Sequence, residues 1–308
     1  MSFPRRIKPS TQAALASVLL ALGLWSVCSL QAAAAPKDKA PDLVGAQYDT
    51  THVYVTPDKI DALVACFVAT FGGQATKRIV TNVLPEPSST ESQAILTPSG
   101  NLSVFAFLTP VPYPFGQERN GFLVFDMDRA VQDAKAAGAE VIVQPFPDPI
   151  GRDAVIQWPG GVKMQLYWHT KAPSYAPLSA VPENRVYLSP DTADEFVRDL
   201  TRFSHGKVVA DDNNADAGEI GRPGETYRRI LIESDFGKTV VLVTDGHLPY
   251  PFGYERTGYQ VSNLADTLAK ATAAGALVLS AAYRAGGRET AIIEFPGGYI
   301  AEIHAPVS

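Results

Sequence analysis

The side chains best suited to chemistry in this chain stand on short apolar runs. His52 opens one of them, and Glu302 and His304 lie two residues apart on the last. An imidazole and a carboxylate can exchange a proton, or with a water hold a divalent metal weakly. A lone histidine on an apolar strand can equally be a satisfied core or rim group, and Glu302 with His304 can be a plain rim pair. Arginine supplies a second set. Arg119 and Arg256 each follow a glutamate, in Pro112-Tyr-Pro-Phe-Gly-Gln-Glu-Arg119 and Pro249-Tyr-Pro-Phe-Gly-Tyr-Glu-Arg256. A guanidinium fork can grip a carboxylate or phosphate through two parallel hydrogen bonds. Its plainer use is to pair with a neighbouring carboxylate under the Tyr-Pro-Phe-Gly turn. Trp158, Tyr167, Trp168 and His169 form an aromatic cluster that suits either core packing or the wall of a site for a flat ligand. Cys66 falls on the apolar face of a helix and reads as buried and inert.

An internal repeat places these residues. The two proline-rich motifs are 137 residues apart, and the segments downstream of them also agree. Gly121-Phe122 matches Gly258-Tyr259, Ala134-Lys-Ala-Ala-Gly-Ala139 matches Ala271-Thr-Ala-Ala-Gly-Ala276, and Trp158-Pro-Gly-Gly161 matches Phe295-Pro-Gly-Gly298. Upstream, His52-Val-Tyr-Val-Thr-Pro57 matches Arg185-Val-Tyr-Leu-Ser-Pro190. A colinear series of this kind means duplication.

Each copy reads as two βαβββ units. Strands at 51–55 and 184–188 lead into Thr56-Pro57 and Ser189-Pro190, where a hydroxyl before a proline predicts a helix start. Ile60, Leu63, Val64, Phe67 and Phe71 recur at helical spacing until Gly72-Gly73 stops them. Strands are clearest at 102–108 and 239–243. After each motif come strands at 121–125 and 258–261, second helices closed by Gly138 and Gly275, and, in the first copy, strands at 140–144, 154–158 and 163–167, the last two joined by Pro-Gly-Gly. The Asn/Asp/Gly-rich stretch 211–224 reads as a flexible insertion, and the proline-rich 172–183 as a linker.

Composition bounds the partners. Arg5, Arg6 and Lys8 precede an apolar run and the small residues Ala32, Ala33, Ala34 and Ala35, the pattern of a secretory leader over 1–35. A single membrane anchor is the competing reading of that run; after cleavage no stable membrane span remains. Removing the leader takes the basic residues from 26 to 23 against 32 acidic, a net charge of −9. No cationic surface for nucleic acid arises from that balance. Only Cys66 of the two cysteines survives processing, so no internal disulfide can form.

This order of elements resembles the vicinal oxygen chelate superfamily, which includes glyoxalases, dioxygenases and bleomycin-resistance proteins. The similarity is best over Gly121-Phe-Leu-Val-Phe-Asp-Met-Asp128, Ala136-Ala-Gly-Ala-Glu-Val141 and Trp158-Pro-Gly-Gly161. It implies an α+β fold of tandem modules, each a pair of βαβββ units that curve a mixed sheet into a cup with helices outside. The division is then a tail at 36–47, a first module at 48–171, the linker, and a second module at 184–306. The partner implied is a small-molecule ligand, and the duplicated chain is a monomeric pseudo-dimer or a homodimer.

The resemblance also implies a divalent metal held at the ends of the first, fourth, fifth and eighth strands of a cup. The first-strand positions carry His52 and Arg185, the fifth Arg119 and Arg256, the eighth Gln165 and Glu302, and the fourth strands offer no ligand. If each copy closes its own cup, the sets are His52, Arg119, Gln165 and Arg185, Arg256, Glu302. If halves are exchanged, they are His52, Arg256, Glu302 and Arg119, Gln165, Arg185. A guanidinium binds no metal, so neither scheme completes a triad. His52 and Glu302 are left as partial metal candidates or an acid/base pair, with Arg119, Arg185, Arg256 and Gln165 as groups for an oxygenated or anionic ligand. The exchanged scheme would set Arg119 and Arg185 together as a cationic pocket.

The expectation is an exported, periplasmic or secreted glyoxalase-like protein, related to lyases and dioxygenases, that acts on or binds a small molecule without the full metal set. The alternative is a non-catalytic sequestering protein of the bleomycin-resistance type. Because Pro36 hinders cutting after Ala35, N-terminal sequencing of the exported protein is expected to begin at Ala35; an intact residue 1 on membrane-bound material would make the leader an anchor.

Overall fold

The computed structural model describes residues 43–110, 118–246 and 255–307, and of residues 118 and 119 the backbone alone. The leader, most of the tail, and the Tyr-Pro-Phe-Gly motifs of both copies lie outside the described residues.

Copy one runs β1 (Thr50–Tyr54), α1 (Ile60–Phe71), β2 (Gln74–Ala75), β3 (Ile79–Thr81), β4 (Thr90–Thr97), β5 (Gly100–Phe107), β6 (Glu118–Leu123), α2 (Met127–Ala137), β7 (Glu140–Asp148), β8 (Gly151–Gln157) and β9 (Lys163–His169). Copy two runs β10 (Glu183–Leu188), α3 (Ala193–Ser204), β11 (Lys207–Asp216), β12 (Thr226–Ser234), β13 (Gly237–Val243), β14 (Glu255–Gln260), α4 (Leu264–Ala273), β15 (Leu277–Ala285), β16 (Arg288–Phe295) and β17 (Tyr299–Pro306). Each copy forms its own curved mixed sheet. The orders are β2-β4-β5-β1-β6-β9-β8-β7, with β3 also on β4, and β11-β12-β13-β10-β14-β17-β16-β15.

The centre of each sheet is antiparallel, and there the two βαβββ units of a copy meet. His52 pairs with Arg119 across β1 and β6, and Arg185 pairs with Arg256 across β10 and β14. One strand outward, Gly121 pairs with Gln165 and Gly258 with Glu302. The equivalent registers show that the repeat is structural. They also settle the pairing: each copy closes its own cup.

Helices cover the other face of each sheet, where the copies join. One core gathers Met127, Ala130 and Ala134 of α2 with Phe196, Leu200 and Phe203 of α3, sealed by Trp158. The other gathers Leu63, Cys66 and Phe67 of α1 with Leu264 and Ala271 of α4. Exchange between copies therefore occurs in the cores and not in the cups. A polar seam crosses the junction. Thr51 Oγ1 lies 2.9 Å from Thr257 Oγ1, and Asn120 donates through Nδ2 to Asn184 Oδ1. Thr51 and Asn184 are equivalent positions, as are Thr257 and Asn120, so this is one contact made twice about a pseudo-twofold.

Two sequence expectations need correction. The first helix of each copy starts later than the Thr56-Pro57 and Ser189-Pro190 signals suggest, because these residues form a preceding turn, closed by Lys59 N donating to Thr56 O at 2.9 Å and Thr192 N to Ser189 O at 3.2 Å. The stretch 211–224 is not a loose insertion. It completes β11 and enters the buried 3-10 turn Ala217–Ile220, whose side chains reach an apolar cluster on the cup face with Tyr187, Leu242, Ile292 and Ile300. The second helices follow the sequence more closely. Asp126 accepts from Arg129 N at 3.1 Å and Asn263 from Asp266 N at 3.0 Å, each capping its helix. Among the described residues no helix is long and apolar enough to cross a membrane.

Both helix-covered cores draw on both copies, and only the smaller cluster on the second cup face is confined to one. The protein is expected to unfold in urea in a single transition. Phe67→Ala, which empties a fully buried site between α1 and α4, lowers stability by about 3–5 kcal/mol without splitting that transition. Two separate transitions in the wild type would show that the cores are independent.

Candidate functional site

Strand alternation decides which side chains enter the first cup. Thr50, His52 and Tyr54 on β1 point into it, as do Ser103, Phe105 and Phe107 on β5 and Gln165, Tyr167 and His169 on β9, while the residues between them face the helices. They line an open cavity of about 260 Å³. A cavity near 150 Å³ can hold benzene, so this one has room for a larger flat molecule.

The floor is polar and the walls aromatic. His52 is 6% exposed, its Nε2 3.1 Å from Thr50 Oγ1, with Phe105 edge-on at 5.3 Å between ring centroids. Gln165 and Asp153, also buried, line the same cavity. Tyr54 lies nearly parallel to Phe105 at 5.7 Å and to Phe107 at 5.9 Å, so the three rings pave one wall. Tyr167 donates its hydroxyl to Tyr48 O at 2.5 Å, and burial pushes its pKa up, with Asp49 adding to the shift. Burial also holds the His169 imidazole below its ordinary 6.5, so at neutral pH it is an uncharged donor and acceptor. Gly121 is needed beneath them: a Cβ there would come within 2.8 Å of His52 Nε2 and 3.0 Å of Tyr167 Cε1.

The same positions in copy two build something different. Arg185 and Glu302 replace His52 and Gln165, and both are 0% exposed. Arg288 bridges Glu183 at 2.9 Å and Glu219 at 2.9 Å, and Arg229 reaches Glu219 at 2.9 Å. Arg185 lies 3.5 Å from Glu183, 3.4 Å from Glu219 and 3.7 Å from Glu302. His304 Nδ1 is 2.8 Å from Glu302 Oε2, and Thr290 donates to Glu302 Oε1. Burial opposes the ionised form of Glu302, but Arg185, then His304 and Arg288, outweigh it and hold its pKa well below the usual carboxylate range. In Glu219 burial is likewise outweighed, by Arg185, Arg229 and Arg288, and its pKa falls to about 2. This cup is full of protein.

The sequence candidates therefore separate. His52 and Gln165 share the first cup; Arg185, Arg256 and Glu302 belong to the second. His52 and Glu302 stand in different sheets and form no acid/base pair. Arg119 and Arg185 also lie in different sheets, so the cationic pocket of the exchanged scheme is not formed. The Arg119 side chain lies outside the described residues; its backbone pairs with His52. Arg256 donates through Nη1 to Ile300 O at 3.1 Å, and its guanidinium carbon lies 5.7 Å from the centre of the Tyr187 ring. The aromatic cluster divides by alternation, Tyr167 and His169 to the cup, Trp158 and Trp168 to the core. Cys66 is fully buried, and burial raises its thiol pKa. Sequence reasoning missed Phe105, Phe107 and Asp153 in one cup and Glu183, Glu219, Arg229 and Arg288 in the other. The period-two pattern around His52, Arg185 and Glu302 could have found those on the same strands.

Among the described residues neither cup suits a divalent metal. Among the described residues the trio able to offer ligand atoms within 4.8 Å of one another is Glu183, Glu302 and His304. Its two carboxylates already face Arg185 and Arg288, and a cation there would sit against two guanidinium groups. In the first cup the position paired with His52 is an arginine, which supplies no ligand, and the described His and Asp side chains do not converge as a trio within 4.8 Å of one another.

No protein-family model matches the sequence, and no curated protein matches it. Solved structures do match. A mutant of 4-hydroxymandelate synthase from Streptomyces coelicolor aligns with TM-score 0.58 and 13% identity over 86% of this chain and 93% of that one. The Mn(II)-bound glyoxalase from Novosphingobium aromaticivorans aligns with TM-score 0.51 and 14% identity over 84% of this chain and 81% of that one. The 2,3-dioxygenase LapB from Pseudomonas sp. KL28 aligns with TM-score 0.51 and 13% identity over 84% and 91%. The chain thus has the vicinal oxygen chelate fold, as tandem α+β modules.

Glu219 gives the second cup a pH signature. Its folded pKa, about 2, lies below the ordinary 4.5, so its contribution to stability is complete above about pH 4.5 and is lost as pH falls toward 2. Urea midpoints are expected to drop between pH 4.5 and pH 2.5 by more in the wild type than in Glu219→Gln. Equal drops would mean that this carboxylate is not held ionised by the arginines.

Proposed function

We propose that this chain is an exported, glyoxalase-like protein that takes one small, flat, oxygenated molecule in the cup of its first module, without a resident divalent metal. The observation that carries this reading is the contrast between the two cups: one is an open aromatic-walled cavity over a polar floor, the other is filled by the chain's own charged side chains. The leader at 1–35 and modules at 48–171 and 184–306 belong to the same reading.

The lining indicates the ligand class. Tyr54, Phe105 and Phe107 offer ring faces for stacking, and His52, Gln165, Ser103 and Thr50 offer hydrogen bonds to ligand oxygens at the floor. Among the described residues the charged lining is Lys77 against Asp148 and Asp153, which favours an uncharged phenol, quinone or carbonyl compound over a polyanion. Arg185 and Arg256, offered by the sequence as ligand groups, serve the structure of the second module in this reading, and so does Glu302. If the protein turns its ligand over, His52 is the group placed to move a proton at a ligand oxygen. If it only sequesters the ligand, as a bleomycin-resistance type would, the same cup suffices; the incomplete metal set favours this second reading.

Isothermal titration with aromatic carbonyl and phenolic compounds, preceded by a thermal-shift screen, tests the site. The expected result is one ligand per chain, with Phe105→Ala or Gln165→Ala weakening binding about tenfold or more, a loss of about 1.4 kcal/mol. Glu302→Ala is expected to lower stability. Stoichiometric zinc, nickel, iron or manganese in the purified protein, lost in His52→Ala, would refute the metal-free reading.

A further inference from the structure

The second cup is filled by a carboxylate that arrives from far along the strand order. Glu219 rides on the turn Ala217–Ile220, which is pinned at both ends. The Asp216 carboxylate accepts from Gly218 N at 2.8 Å, Ala217 N donates to Glu225 O at 2.9 Å, and Arg222 N donates to Ala217 O at 2.9 Å. The turn lies flat against the opposite side of the cup. A Cβ on Gly218 would come within 2.0 Å of the Tyr283 ring on β15, so only glycine permits the approach. Ala217 and Ile220 bury against Tyr187, Leu242 and Ile300.

This scaffold delivers one carboxylate to guanidinium groups from three strands. Arg229 Nε from β12 lies 2.9 Å from Oε1, Arg288 Nη2 from β16 lies 2.9 Å from Oε2, and Arg185 Nη2 from β10 lies 3.4 Å from Oε2. The Tyr227 hydroxyl donates to Oε1. Without Glu219, the guanidinium groups of Arg185, Arg229 and Arg288 would face only Glu183 and Glu302. Arg185 is wholly buried, and among the described residues its Nε and Nη1 make no hydrogen bond. A dry guanidinium in excess draws an anion. Planar carboxylate recognition by converging arginines is what this geometry performs.

We propose that the second module is a carboxylate-binding module whose ligand is built in: Glu219 of the same chain occupies it, and among the described residues the first cup is the one left open. The chemical class that fits is a small monocarboxylate. Its natural representative is the glutamate side chain, and a free acid of two or three carbons can take its place only when that side chain is cut back.

Glu219→Ala removes the acetate-sized end of the side chain and leaves the turn. Its melting midpoint is expected to fall, and acetate at saturating concentration is expected to raise it again by roughly 2–4 °C over chloride at the same ionic strength. The wild type and Glu219→Gln, whose sites are filled, are expected to respond to acetate no more than to chloride, and acetamide is expected to rescue none of them. If Glu219→Ala is unfolded in chloride, recovery of its far-UV circular dichroism on adding acetate is the readout. Equal effects of acetate and chloride on Glu219→Ala, or an acetate response as large in Glu219→Gln, would overturn the proposal. None of these readouts involves a ligand in the first cup, so this inference and the function proposed for that cup fail separately.

Discussion

The antiparallel pairing at the centre of each sheet governs the layout of both cups. It sets His52 against Arg119 and Arg185 against Arg256, and thereby decides which strands share a concave face. In a strand of period two, a slip of one residue would turn His52 toward the helices and bring Val53 into the cup. The register is held from both sides. The helix-facing residues Val53, Leu102 and Val104 are buried in a core shared with the other copy, and the cup-facing residues crowd Gly121 and Gly258 so closely that neither glycine has room for a side chain.

One scaffold with one register thus carries two interiors. In the first copy the concave face carries aromatic walls, a polar floor and few charges among the described residues, and the space between the sheet's flanks stays open. In the second, charged groups occupy corresponding strand positions, and a turn from the far edge closes over them. Burying three guanidinium groups and three carboxylates together is costly in desolvation. The cost is offset here because each carboxylate meets at least two cationic partners or a hydroxyl donor. Removing one member leaves an uncompensated charge behind, which is why such a set behaves as a unit.

Much of this architecture is legible in the sequence. The colinear repeat, the capped second helices and the Pro-Gly-Gly turns depend on residues close together along the chain, and they specify the two-unit build of each copy. The fold class comes from the order of elements. Strand alternation also carries part of the site: Thr50 and Tyr54 flank His52, and Tyr167 and His169 follow Gln165, at the spacing that puts them on one face. Local reasoning could not supply the partner of each half. Own-copy and exchanged cups use the same residues and differ only in long-range pairing. The exchange that does occur lies in the helical cores, where Phe67 meets α4 and Phe203 meets Trp158, and apolar periodicity does not say which apolar face will be met.

The stretch 211–224 shows why composition misled. Asn, Asp and Gly favour turns because their side chains or lack of them satisfy tight backbone geometry. That preference concerns local shape and is silent on burial. Here it makes a turn tight enough to enter a cup, and Gly218 lets that turn press onto Tyr283. The acidic residues that suggested solvent divide by position: Asp211 pairs with Arg228 outside, while Glu219 goes inward to three arginines. Those arginines come from β10, β12 and β16, well separated along the chain, and each alone resembles an ordinary surface charge. Only the closed sheet brings them to one point. The same closure, with His52, Gln165 and a wall of rings in place of the charges, leaves the first cup open among the described residues, so the difference between a site and a plug in this fold rests on a small set of side chains and one buried turn.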